Sequence, residues 1–259
     1  MDVMFFEAAQ RGQVEDLKEI LSHNPNLNVN WRNSQFGGFT ALTVACDYGH
    51  DSIVSILLAH PRINVNPKDE NGWTPFLATC VDGRTSCARL LLKDSRVKVN
   101  QPKNDGDTPL RWAAFQGHLD IIKWWIASGR EMNLGKPGLY WSDAIGVAKE
   151  RGETEVATLL ERFKENPVET RYQVRMDLCL VDEMAAEIFA LVVFVSDGLL
   201  QVTQGDQSTL TLAVWFFSIA SQLPLELQMV LCYQVVCSGK ETILGKDSEV
   251  AFRELAKRI

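Results

Sequence analysis

The sequence predicts an all-α protein, in which a solenoid of helix–turn–helix units joined by short hairpin loops precedes a second, mostly helical domain. Similar blocks recur every 34 residues in the N-terminal part, and a period of this length is typical of stacked repeats. The step is lost after about residue 165, where the polar stretch "RFKENPVETR" (162–171) indicates a domain boundary. The 259 residues are enough for two ordinary domains.

Each repeated block opens on a threonine and closes on a glycine. These residues recur at a 34-residue step, at Thr40, Thr74 and Thr108 and at Gly49, Gly83 and Gly117. A threonine hydroxyl can accept a backbone N–H at the start of a helix, and glycine readily takes the left-handed conformation that ends one. Each block therefore predicts a short inner helix, and the apolar runs "IVSILLAH", "CARLLLKD" and "IIKWWIAS" that follow predict outer helices.

The blocks "GFTALTVACDYGH" (38–50), "GWTPFLATCVDGR" (72–84) and "GDTPLRWAAFQGH" (106–118) resemble the ankyrin repeat, whose unit carries T-P-L-H-x-A near its start. The departures are Ala41 in place of proline, and Thr43, Leu77 and Arg111 in place of histidine. With weaker flanking units, the resemblance extends over about residues 1–165. We expect five units, at 1–33, 34–69, 70–104, 105–139 and 140–165, followed by a helical domain at 166–259.

The resemblance implies a scaffold or adaptor that binds a partner protein on a concave surface made of inner helices and hairpin tips. The contact positions that it implies lie before each threonine, before each closing glycine and at the hairpin tips. They are Phe39, Trp73 and Asp107; Asp47, Tyr48, Val81, Asp82, Phe115 and Gln116; and Glu70, Asn71, Asn104 and Asp105.

The aromatic members of this set leave two interpretations open. Phe39, Tyr48, Trp73 and Phe115 could form an aromatic stripe across three repeats, and aromatic side chains are enriched at binding hot spots. Alternatively, each ring packs over its neighbouring hairpin.

The domain at 166–259 is predicted to be helical, with helices expected over 181–195, 211–222, 223–236 and 246–259. The β-branched runs "LVVFV" (191–195) and "QVVC" (234–237) leave a strand open at either place. The segment "LPLELQMVLCYQVV" resembles the opening of an F-box, through Leu223, Pro224, Glu226 and Leu227. That resemblance implies the alternative function of a substrate adaptor of a ubiquitin ligase, while the simpler interpretation is a core helix that starts at a proline.

The remaining features argue against several other function classes. A net charge of −7 disfavours nucleic acid as a partner. The uncharged stretch 208–225 is diluted by polar residues and favours a buried helix over a membrane span. We expect no metal site, cofactor, small-molecule substrate or catalytic residue, because no zinc spacing, phosphate loop or nucleophile motif is present. An enzyme with an unrecognised site in 166–259 stays open.

The cysteines and the N-terminus indicate the cellular compartment. The six cysteines contain no CxxC pair and mostly lie in apolar runs, as reduced core thiols do. The N-terminal stretch "MDVMFFEAAQRG" lacks the apolar core of a secretory signal. We therefore expect an intracellular, cytoplasmic protein.

Overall fold

The computed structural model describes residues 1–135 and 143–196, together with residues 220, 228, 229, 231, 232 and 251. The chain divides into two compact units, Met1–Val174 and Arg175–Ile259. Within the described residues the regular elements are helices, accompanied by one isolated β-bridge between Asn33 and Phe39. The all-α prediction is confirmed.

The described part of the first unit contains five helix pairs, and each pair is joined by a turn of two or three residues. The pairs are α1 (Asp2–Arg11) and α2 (Val14–His23), α3 (Ala41–Tyr48) and α4 (Asp51–Ala59), α5 (Pro75–Asp82) and α6 (Thr85–Lys93), α7 (Pro109–Phe115) and α8 (Leu119–Ser128), and α9 (Ala144–Arg151) and α10 (Thr154–Glu165). A short 3-10 helix, Ser34–Phe36, lies in the loop between α2 and α3. Helix α11 (Pro167–Asp177) crosses the division between the units. The boundaries assigned above to the individual repeats stay predictions.

The predicted helix caps are confirmed. The hydroxyls of Thr40, Thr74 and Thr108 accept the N–H groups of the residues three positions on, at 3.2–3.3 Å. The closing glycines have φ of 82°, 69° and 71°, in the left-handed region that residues with a Cβ avoid. Because the threonine caps fix their starts, α3, α5 and α7 begin at the same place in their repeats. Helices α3 and α5 also end at the same place, directly before the glycine, and α7 ends one residue earlier.

The repeats stack through both helices of each pair. The inner helices, α1, α3, α5, α7 and α9, pack one on the next, and the outer helices α2, α4, α6, α8 and α10 do the same. The core between them is fully buried, as at Leu42, Leu77 and Leu110 of the inner helices and Leu57 and Trp125 of the outer ones. Since each layer buries its apolar surface on its neighbours, the stability of the unit depends on the stack.

Two ladders of side chains join the loops of successive repeats. Asn66 donates its amide to the carbonyl of Arg96 at 2.8 Å and accepts the N–H of Lys98 at 2.7 Å. Asn30 and Asn100 make the same pair of bonds in their own repeats. The guanidiniums of Arg62, Arg96 and Arg130, spaced by 34 residues, reach back to backbone carbonyls of the preceding repeat. These bonds fix the spacing between repeats on the side of the outer helices.

The described part of the second unit is dominated by α12 (Val181–Ser196). This helix confirms the prediction for 181–195, and the alternative of a strand over 191–195 is wrong. Its buried side chains include Ala186, Phe189 and Ala190, and its exposed Glu187 pairs with Arg175 at 2.8 Å. The helices expected over 211–222, 223–236 and 246–259 lie almost entirely outside the described residues, and the alternative strand over 234–237 lies wholly outside them.

Candidate functional site

The ends of the inner helices form the candidate binding surface. In α3 and α5 the first six side chains are buried, and only the last two of each helix reach solvent. These are Asp47 and Tyr48 in α3 and Val81 and Asp82 in α5. At the corresponding end of α7, Phe115 is half-buried and Gln116, which follows it, is exposed. Together with the hairpin tips described next, these positions are called the inner-helix surface.

The hairpin tips form the second part of this surface. The predicted contact residues Glu70, Asn71, Asn104 and Asp105 are all exposed. The tips are joined by hydrogen bonds, because Asn104 donates its backbone N–H to the carbonyl of Asn71 at 3.1 Å and its side-chain amide to the carbonyl of Glu70 at 2.9 Å. A surface built on connected tips presents its exposed side chains at fixed positions.

The residue after each closing glycine holds the inner-helix ends together. The Nε2–H of His50 donates to the carbonyl of Gln10 at 2.9 Å, Arg84 donates to that of Asp47 at 2.9 Å, and His118 donates to that of Val81 at 3.0 Å. Each of these side chains crosses from one repeat to the end of the preceding inner helix. These hydrogen bonds link the ends of α1, α3, α5 and α7 in a continuous series beside the candidate contacts.

Two carboxyl groups meet on this surface. Burial of its side chain, together with the hydrogen bond and the charge of Asp82, raises the pKa of Asp47 to about 6, and the positive charge of Arg84 opposes the shift. The pair belongs to two neighbouring repeats, since Asp47 lies on α3 and Asp82 on α5. The two carboxyl groups form an acidic pair on this surface, and the positive charge of Arg84 offsets part of it.

The predicted aromatic residues differ in how much of each ring is available. Tyr48 is 48% exposed, with its hydroxyl 3.4 Å from the amide of Gln10. Phe39 and Trp73 are half-buried, and the ammonium of Lys103 lies 5.5 Å from the centre of the Trp73 ring. The Phe115 ring has the guanidinium of Arg151 above it at 4.4 Å. Packing against a neighbouring repeat thus accounts for part of the burial of the Trp73 and Phe115 rings. Tyr48 has the most accessible ring of the four.

Asp107 is placed differently from the expectation that it contacts a partner. Its side chain is buried and accepts a hydrogen bond from Nη1 of Arg111 at 3.0 Å. The pair is possible because Arg111 stands where ankyrin repeats usually have histidine, one helical turn after Asp107. This ion pair stabilises the start of α7 from inside the protein, so Asp107 is removed from the candidate surface.

The sequence interpretation missed Phe36, which is 41% exposed. It lies in the 3-10 helix of the first hairpin and packs on the Phe6 ring at 5.2 Å between centres. The available signal was the spacing, because Asn30 and Asn66 are 36 residues apart where Asn66 and Asn100 are 34 apart. That difference marks a hairpin with two additional residues, and such additions form exposed loops.

No catalytic constellation appears among the described residues, and no group of three potential metal ligands occurs in them. Burial raises the pKa of the Cys87 thiol to about 12 and that of Cys232 to about 12, so both stay protonated at neutral pH. The F-box-like residues Leu223, Pro224, Glu226 and Leu227 lie outside the described residues, so the ligase-adaptor alternative stays a prediction. Within the part of the chain that the structure describes, no helix combines the length and hydropathy needed to cross a bilayer.

Stacked helix pairs, connected hairpin tips and exposed inner-helix ends define a helical repeat protein of the kind that binds other proteins. The family model described as ankyrin repeats (3 copies) matches residues 4–69 and 62–136, which together are just over half of the chain. The chain belongs to the ankyrin-repeat family. No curated protein matches it. Ankyrin repeats are protein–protein interaction modules, and proteins of this family are typically not enzymes.

Proposed function

We propose that the inner-helix surface is the concave surface on which this protein binds a partner protein. One observation carries the proposal: in α3 and α5, solvent-accessible side chains are confined to the positions before the closing glycine. Hydrogen bonds from His50, Arg84 and His118 hold the helix ends in place, so partner binding has less of the surface to order.

Tyr48 and Asp82 are the central contacts of this proposal. Both are exposed, and they lie in neighbouring repeats near the raised-pKa carboxyl of Asp47. A tyrosine gives a large contact area with little loss of side-chain freedom, and the paired acids favour a partner that brings a basic side chain. The tips Glu70 and Asn71 extend the contact along the same edge.

The test is an affinity pull-down from lysate of the source cells, with the partner identified by mass spectrometry. The full chain is compared with Tyr48→Ala/Asp82→Lys. A matched control, Ser86→Ala/Asp120→Lys, changes two exposed residues of outer helices and alters the net charge equally. We expect circular dichroism to show that all three proteins fold, because none of the changed side chains is buried.

The proposal is supported if a partner no longer binds Tyr48→Ala/Asp82→Lys but still binds the control Ser86→Ala/Asp120→Lys. The affinity difference, measured with the purified partner, should be about tenfold or more if Tyr48 and Asp82 are hot spots. If the variant and the control retain the partner equally, the assignment of the binding surface is wrong.

A further inference from the structure

The first helix pair has a second surface, on the face that points away from the other repeats. Helices α1 and α2 pack on α3 and α4, and on the opposite side a groove of about 450 Å³ runs between them. Its apolar lining includes Met1, Met4, Ala8 and Ile20. Met1 is 58% exposed and Met4 59%, which places them among the most exposed large apolar side chains of the described residues.

This groove corresponds to a surface that every later repeat buries. Ile20 stands eight residues after Gly12, and the residues eight positions after the next three closing glycines are Leu57, Leu91 and Trp125, each fully buried. Met4 stands eight residues before Gly12, and its equivalents Ala41, Pro75 and Pro109 are also buried. The groove is therefore one half of a repeat-stacking interface, in which Met4 and Ile20 keep the apolar character of their positions.

The charged residues of the groove indicate what it would accept. Asp16 and Glu19 line it beside Ile20, where the later repeats carry apolar residues such as Ile53 and Ile56. Glu7 is paired with Arg11 at 3.3 Å, whereas Asp16 and Glu19 form no ion pair with the described residues. The groove thus has an apolar floor and, at Asp16 and Glu19, an acidic edge without ion pairs to the described residues.

Two simpler interpretations explain only part of this face. A terminal repeat needs a polar outer surface, which accounts for Asp16 and Glu19 but not for the exposure of Met1 and Met4. A second copy of the same face would bring the acidic edges together, and like charges across an interface are unfavourable.

We infer that this groove binds a basic amphipathic helix of a partner protein, at a site separate from the inner-helix surface. The apolar stripe of the incoming helix lies on Met4, Ala8 and Ile20, in the position that a neighbouring repeat occupies elsewhere in the stack. Its lysine or arginine side chains pair with Asp16 and Glu19. The flexible side chains of Met1 and Met4 adjust to the shape of the stripe.

The probe is a fluorescein-labelled peptide of about 18 residues, with leucine at i, i+4, i+7 and i+11, lysine at a few of the other positions and alanine at the rest to favour a helix. Its counterpart has glutamate in place of each lysine. Binding to the full chain is followed by fluorescence anisotropy. We expect the lysine peptide to bind about tenfold or more tightly than the glutamate peptide.

Two variants test the groove independently. Met4→Glu/Ile20→Glu removes the apolar floor, and Asp16→Lys/Glu19→Lys reverses the acidic edge. Each should weaken binding of the lysine peptide about tenfold or more. The matched controls are Val3→Glu, an exposed position of α1 outside the groove, and Glu155→Lys/Glu165→Lys, exposed acids of α10. The controls should change the affinity by less than about twofold.

Several results would overturn the inference: no binding of the lysine peptide, equal binding of both peptides, or equal weakening by the control variants. The inference would also be overturned if the unaltered chain is a dimer and Met4→Glu/Ile20→Glu is a monomer. In that case a second copy of the chain occupies the groove. Loss of peptide binding in Tyr48→Ala/Asp82→Lys would place the peptide on the inner-helix surface instead.

Discussion

The buried pair of Asp107 and Arg111 gives a sharp energetic prediction. Replacing Arg111 by leucine leaves the Asp107 carboxylate without this partner at a position where each side chain is no more than 4% exposed. Removing one partner of a buried ion pair costs about 3–5 kcal/mol. We expect about 3 kcal/mol, at the lower end, because the positive charge of Lys103 still acts on Asp107.

The assay is urea unfolding followed by circular dichroism, for the unaltered chain, Arg111→Leu, Asp107→Ala and the double variant. The double variant should cost less than Arg111→Leu alone, because it leaves no unpaired charge in the interior. If Arg111→Leu costs less than about 1 kcal/mol and the two single costs add in the double variant, the pair does not act as described.

The same pair predicts a dependence on pH. Burial raises the pKa of Asp107 above its usual value, and the charge of Arg111 opposes the shift. Arg111→Leu removes the opposing charge, so the pKa of Asp107 should rise further. A carboxyl group whose pKa is raised by folding lowers the free energy of unfolding. This loss is full at pH values above the pKa of the folded state, and it disappears as pH falls to the pKa of the unfolded state, about 3.9. The cost of Arg111→Leu should therefore be smaller at about pH 5 than at about pH 7.5; an equal or larger cost at pH 5 would contradict this reasoning.

Three further predictions concern the repeat frame. Gly83→Ala should lower the unfolding free energy by about 2 kcal/mol, because the residue has φ 69° and its new Cβ would lie 2.7 Å from the His118 ring. Gly152 has φ 79° and no atom within 4 Å of the place of a Cβ, so Gly152→Ala should cost only about 1 kcal/mol in the same urea assay. Asn66→Ala removes two hydrogen bonds between repeats and should lower the thermal midpoint by the equivalent of about 1–2 kcal/mol. The Asn64 side chain accepts a hydrogen bond only within its own loop, so Asn64→Ala should cost less. Asp47→Asn removes a carboxyl group whose raised pKa shows that its charge is unfavourable in the folded protein. The variant should be more stable by about 1 kcal/mol near pH 7.5, a value kept small because the Asp47 side chain is partly in solvent. The gain should shrink as pH falls from about 6 towards about 4, where Asp47 becomes protonated. A gain in urea unfolding that grows on acidification would refute the assignment of the Asp47 pKa.

The repeat architecture could be predicted from the sequence because it depends on local chemistry. The cap of Thr74 and the left-handed conformation of Gly83 follow from residue type and position within a few residues. Their recurrence at a fixed step then implies stacking, since no single unit can bury its own apolar face. The resemblance to ankyrin repeats also placed the exposed ends of the inner helices, where Tyr48 and Asp82 lie.

The remainder depends on contacts between repeats, which a linear pattern does not reveal. The family pattern led us to expect Asp107 on the surface, whereas it is buried and paired with Arg111, which stands where the family usually has histidine. The Phe115 ring is partly covered because Arg151, one repeat further on, reaches over it. The groove beside Ile20 likewise becomes visible only once the stacking direction of the repeats is known.

The most direct test of the central claim is hydrogen–deuterium exchange of the full chain, alone and with the partner identified in the pull-down. Binding on the inner-helix surface predicts slower exchange in peptides that contain Tyr48–Gly49, Glu70–Asn71 and Asp82–Gly83. The outer helices α4 and α6 should exchange as before. Protection confined to the outer helices, or to residues beyond 174, would contradict the account.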